Sequence, residues 1–201
     1  MTTTTGLAIA VAMAACSAPA ADLRYWVEPC TRPETACEKY DPQLAEWALK
    51  AWAASAGGSL KFERAGREER AQIRIYWADG RQGLYGEARP IVVDGKRGAA
   101  VFVLPDMKQL VPDISAAAAK DPLLRDAIVY LTCLHESGHA LGLSHTSAFP
   151  DIMYSFQFGG DIPEYFGRYR RLLKSRADIE KNSGMSEQDR MRLARALAAA
   201  L

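Results

Sequence analysis

Histidine is scarce in this chain, with three among 201 residues. Net charge is almost absent too: 25 basic side chains face 24 acidic ones. That balance removes any global electrostatic case for a nucleic acid or an acidic polymer as partner. No apolar run reaches the roughly 20 residues that span a bilayer, so no membrane span is expected. No internal repeat of fixed period is visible, which excludes solenoids and propellers. What remains is an ordinary globular composition, 49% hydrophobic and 24% charged, unlike a disordered, collagen-like or coiled-coil chain. The length suits a single domain, expected to act as a monomer.

The N-terminus reads as an export segment. Residues 7–15 (LAIAVAMAA) form a short apolar run, and Ala18-Pro19-Ala20 offers a small-x-small cleavage site. Met13-Ala14-Ala15-Cys16 also resembles a lipobox, in which Cys16 would carry a lipid anchor. The stretch before Leu7 has no Lys or Arg, unlike either signal type. Residues 1–20 are therefore assigned to a signal peptide or lipoprotein signal, and residues 22–201 to the folded domain. The expected location is extracytoplasmic: periplasmic, outer-membrane or secreted. In an oxidising compartment Cys30 and Cys37, which bracket CTRPETAC, are a candidate disulfide. The alternative is a pair of metal ligands. Cys133 stands alone inside an apolar helical pattern and reads as a buried thiol.

Periodicity gives the elements. Residues 22–28, 60–64 and 71–77 alternate as strands, the last with Ile73, Ile75 and Trp77 on one face. Asp41-Pro42 starts a helix, with Asp41 as its cap, that ends at Gly57-Gly58. Residues 78–98 read as a Gly-rich loop with a short strand at 91–93, and residues 99–104 as a strand, at the sheet edge or inside it. Residues 115–119 are a short helix or a loop. Asp121-Pro122 opens a long apolar helix to about Leu141, a further helix is expected over 164–181, and Ser186 with Asp189 caps a last one. The order implies an α+β fold with a small sheet and a helical C-terminal part.

All three histidines fall inside HESGHALGLSH, residues 135–145. His135 and His139 are four apart, hence one above the other on a helix face, at a spacing that lets both bind one zinc ion. Glu136 is about 100° round the helix, on the flank of that face. It can touch a water beside the metal without being a ligand. Gly142 accepts the left-handed turn that stops a helix, after which His145 can return to the same ion. Three nitrogens leave a fourth position open, as in catalytic zinc sites.

That segment, followed by Asp151-Ile152-Met153-Tyr154, resembles the metzincin clan of zinc peptidases, and within it the matrixins. The resemblance implies a Met-turn with Met153 beneath the zinc and an active-site helix carrying His135 and Glu136. Tyr154 directly follows the methionine, as in matrixins; astacins and serralysins carry the tyrosine one place later, where this chain has Ser155. The similarity covers roughly residues 22–160. No histidine is left for the second, structural zinc of matrixins, calcium ligands are not recognisable, nothing matches the propeptide cysteine, and residues 156–184 are longer than the usual link.

The activity implied is zinc-dependent hydrolysis of peptide bonds in extracytoplasmic proteins, with Glu136 as general base. A non-catalytic, zinc-stabilised envelope protein and an amidase acting on cell-wall material are the competing readings. The cationic cluster Arg168, Arg170, Arg171, Lys174 and Arg176 is either a solvated helix face or a contact for acidic substrate or lipid. The aromatics Tyr154, Phe156, Phe158, Tyr165 and Phe166 are either core or the wall of a specificity pocket.

Overall fold

The computed structural model describes residues 21–80 and 85–199. The expected export segment, with Cys16 and the cleavage site at residues 18–20, lies outside the described residues. Five strands form one mixed sheet: β1 (Ala21–Val27), β2 (Leu60–Arg64), β3 (Ile73–Trp77), β4 (Gly86–Val93) and β5 (Lys96–Val103). Their spatial order is β2-β1-β3-β5-β4. All neighbours are parallel except β4, which pairs antiparallel with β5. The helices are α1 (Asp41–Ser55), α2 (Pro112–Lys120), α3 (Pro122–Ala140), α4 (Ile162–Arg170), α5 (Asp178–Lys181) and α6 (Glu187–Ala199).

The alternation in β3 and β5 puts Ile73, Ile75, Trp77, Val101 and Val103 on one buried face. There they join one core with Leu44, Ala48 and Trp52 of α1 and Ile128, Leu131 and Leu134 of α3. The opposite face carries an aromatic row, with Tyr76 stacked on Phe102 at 5.2 Å between centroids and Trp26 at 5.7 Å from Tyr76. Trp52 also donates from Nε1 to Leu134 O at 2.9 Å and to Ser137 Oγ at 3.1 Å. These bonds fix the height of α3 against α1.

Several sequence expectations change. The loop expected over 78–98 contains the eight-residue strand β4, with a tight turn at Asp94 and Gly95, both at positive φ. Pro90 hid it, yet a proline fits here because β4 is an edge strand whose outer side has no ladder partner among the described residues. Residues 99–104 consequently lie inside the sheet, not at its edge. Asp41 does not cap α1. Its carboxylate is buried, accepts the Glu38 N–H at 2.8 Å and forms a two-pronged pair with Arg125 of α3.

The helix expected over 164–181 is two helices, α4 and α5. Between them Asp178 accepts the N–H groups of Lys174 and Ser175 at 3.0 and 2.9 Å, a local alternative to helix continuation. Four of the five cationic side chains expected there have partners within the fold. Arg170 meets Asp121 at 2.7 Å, Arg171 meets Glu164 at 2.5 Å, and Arg176 meets Asp126 at 3.0 Å. Arg168 lies over the Tyr165 ring and donates to Pro150 O. Cys30 and Cys37 are joined as a disulfide, with Cα atoms 5.3 Å apart. Cys133 is a buried free thiol whose pKa burial pushes well up.

Candidate metal and catalytic site

The site grows from the last two turns of α3. Asp121 caps that helix by accepting the N–H groups of Leu123 and Leu124. The helix ends after Ala140, with Gly142 at φ 88°. Gly142 N–H donates to His139 O at 2.9 Å and Leu143 N–H to Gly138 O at 3.0 Å, the paired bonds of a Schellman end. The chain thereby reverses and carries His145 back over α3.

The three imidazoles converge. His145 Nε2 lies 3.2 Å from His135 Nε2 and 3.0 Å from His139 Nε2. The remote nitrogens of the two helical histidines face backbone carbonyls: His135 Nδ1 meets Ile152 O at 2.7 Å and His139 Nδ1 meets Leu143 O at 2.8 Å. A carbonyl can only accept, so each Nδ1 carries the proton and each Nε2 presents a bare lone pair. Burial holds His135 down to about 4, with the two neighbouring imidazoles adding, so it stays neutral near pH 7. Burial also lowers His145. Lone pairs aimed at one another repel unless a cation lies among them. Tetrahedral ligands about 2.05 Å from zinc would sit roughly 3.3 Å apart, close to the spacing found. The residues fit a three-histidine zinc site.

Below the triad, residues 151–154 make a tight turn. Tyr154 N–H donates to Asp151 O at 3.3 Å, and Thr146 N–H to Met153 O at 2.8 Å. Met153 is fully buried beneath α3 at Gly138, where a Cβ would come within 2.4 Å of its Sδ and 2.9 Å of Trp52 Cζ2. Asp189 of α6 holds the turn from behind. Its carboxylate accepts the N–H of Ile152 at 2.8 Å and of Met153 at 3.5 Å. The same carboxylate accepts the Ser186 N–H at 2.9 Å, while Ser186 Oγ accepts the Asp189 N–H at 3.0 Å, closing the expected capping box. Buried Asp151 takes hydrogen bonds from Thr146, Ser186 and Arg192. Spacing alone marks Asp189 as part of a helix cap, and nothing local points to Asp151 as an anchor. The signal at Asp189 is an acid at the third position of a helix, which does not show what else that acid touches.

Glu136 is 7% exposed and lines a cavity of about 250 Å³ together with His135 and His145. Burial pushes its pKa up to about 8, with the Glu87 carboxylate second, and a dication beside it would pull that value down. Leu131, Tyr154, Phe156, Tyr165 and Phe166 form the apolar part of the cavity, so most of the aromatic run is both core and wall. Phe158 is 54% exposed and takes no part. Tyr85 and Gly86, from the segment read as loop, close the side next to β4.

A family model described as matrixin matches residues 19–159 of this chain. No curated protein gives a significant match.

Proposed function

The chain belongs to the matrixin family, and on that premise we propose that it is a zinc-dependent endopeptidase acting on extracytoplasmic proteins. The observation that carries this reading is the pairing of three inward-facing Nε2 lone pairs with a carboxylate that opens onto the same cavity. His135, His139 and His145 hold the ion, and bound zinc supplies Lewis acidity toward water and the scissile carbonyl. Glu136 takes the proton from the attacking water and delivers it to the leaving nitrogen. Its position on the cavity wall, on the flank of the histidine face, is where such a proton carrier is needed. The apolar cavity beside Glu136 receives a large side chain next to the cleaved bond and excludes water around it. The Cys30–Cys37 disulfide supports an oxidising compartment. Among the described residues no helix is long and apolar enough to cross a membrane.

The test is zinc content and cleavage of denatured casein by the wild type and by Glu136→Ala. The variant should keep one zinc per chain and lose nearly all turnover. Loss of zinc in step with activity would make Glu136 a structural residue, intact turnover without it would end its role as general base, and no cleavage by the zinc-loaded wild type would end the peptidase reading.

A further inference from the structure

Gly86 begins β4 opposite Val103 of β5, and its φ lies outside the left-handed region. Backbone conformation therefore gives no reason for a glycine there. Space does. A Cβ at residue 86 would fall 2.6 Å from Glu136 Cγ, 2.7 Å from Oε1 and 2.9 Å from Cδ. All are closer than the 3.0 Å below which real Cβ contacts are essentially never found. The edge strand rests its bare backbone directly on the Glu136 side chain.

The kind of neighbour matters. At Gly98 the obstruction would be the Gln72 backbone, at 2.2 Å, and at Gly138 it would be packed core. At Gly86 the three nearest atoms all belong to one side chain, near its free end. That end can turn aside without disturbing the sheet. Among the described residues no hydrogen bond holds the Glu136 carboxylate, so its direction is set by packing between α3 and β4.

We infer that Gly86 is a positioning residue for Glu136: its missing side chain is the space that the general base occupies. The inference rests on the peptidase reading for its catalytic meaning and on geometry alone for the packing. A methyl group at 86 costs the fold little and displaces the one group whose placement the chemistry needs. A misplacement of about 1 Å at a reacting group lowers the rate about 100-fold.

The experiment compares Gly86→Ala with the wild type and with Gly66→Ala, an exposed glycine with nothing within 4 Å of an added Cβ. Gly86→Ala should bind zinc stoichiometrically and lose kcat about 100-fold with KM changed less than about threefold. Gly66→Ala should match the wild type. Glu136→Asp withdraws the carboxylate by one methylene, so in that background the added methyl should cost less than about threefold. A crystal structure of Gly86→Ala should show the Glu136 carboxylate displaced and the β4 backbone in place. Wild-type kcat in Gly86→Ala, an equal loss in the Glu136→Asp background, or an unmoved carboxylate would each overturn the inference. Absence of cleavage by the wild type would instead remove the peptidase reading, and the crystal structure would still decide whether Gly86 places Glu136.

Discussion

His135 and Asp189 grip the same residue from its two sides. Asp189 accepts the Ile152 N–H at 2.8 Å, and the Ile152 carbonyl receives the His135 Nδ1–H at 2.7 Å. Tyr165 OH adds a second donor to that carbonyl at 3.2 Å. A carboxylate on the last helix thus sets the ring direction of a metal ligand 54 residues earlier in the chain, through the backbone of one residue.

Asp189→Ala should therefore weaken both fold and metal site. It strands the buried N–H of Ile152, at about 1–3 kcal/mol, and removes the acceptor of the half-buried Ser186 N–H. Zinc affinity should fall about 10- to 100-fold, the usual effect of losing an outer partner of a ligand. Urea unfolding and competition with a chelator measure the two effects. Unchanged zinc affinity alongside lost stability would confine Asp189 to a structural role.

The Asp41–Arg125 pair links the start of α1 to the start of α3 and is almost wholly buried. Removing Asp41 strips the buried guanidinium of its two-pronged partner and leaves it only the longer contacts to Glu38 at 3.5 Å and Asp126 at 3.6 Å. Asp41→Ala should lose about 3–5 kcal/mol, while Asp41→Leu with Arg125→Met should recover most of it. Urea midpoints of the single and double variants check this. A double variant no better than the single one would mean that shape, not charge, is what the site requires.

Gly138→Ala is expected to behave unlike Gly86→Ala. The new methyl meets Met153 and Trp52 inside the core. Overpacking of this kind costs about 1–3 kcal/mol, so the melting temperature should drop before any kinetic constant changes. A full-stability Gly138→Ala variant would show that Met153 can yield.

Metal-free Glu136→Gln, which lacks the opposing titration of the raised Glu136 carboxyl, should lose stability as the solution is acidified. The folded state holds His135 near 4, against an ordinary 6.5 for the unfolded chain. Between those values the unfolded chain binds a proton that the folded chain does not, so stability falls with falling pH across that window. One such group contributes at most about 1.4 kcal/mol per pH unit. Urea midpoints of this chelator-treated variant from pH 7 to pH 4 give the slope; in the wild type Glu136, raised to about 8, pulls the other way over part of the same window. A flat profile would mean that His135 is not held neutral by its surroundings.

The ligand triad was legible because helix period and one glycine suffice to converge His135, His139 and His145; no distant residue has to be known. The strands β1 to β3 were legible from alternation, and the cap at Asp121 from its proline neighbour. What escaped depends on the partner more than on the residue. Gly86 and Pro90 read as loop because a strand's position in the sheet, which makes both acceptable, is a tertiary fact. Asp41 read as a cap because nothing local reveals an arginine 84 places on. The break between α4 and α5 had a local signal, Ser175 followed three residues later by Asp178, but the apolar spacing around it outweighed that signal.

The stretch recognisable by family likeness stops at residue 159, and the carboxylate that steadies the Met153 turn arrives at residue 189. The smallest working unit is thus longer than the recognisable one. A fragment trimmed to the recognisable stretch would keep His135, His139, His145 and Glu136 and lose the clamp behind them. For anyone choosing where to cut this chain for expression, α6 belongs with the site it supports.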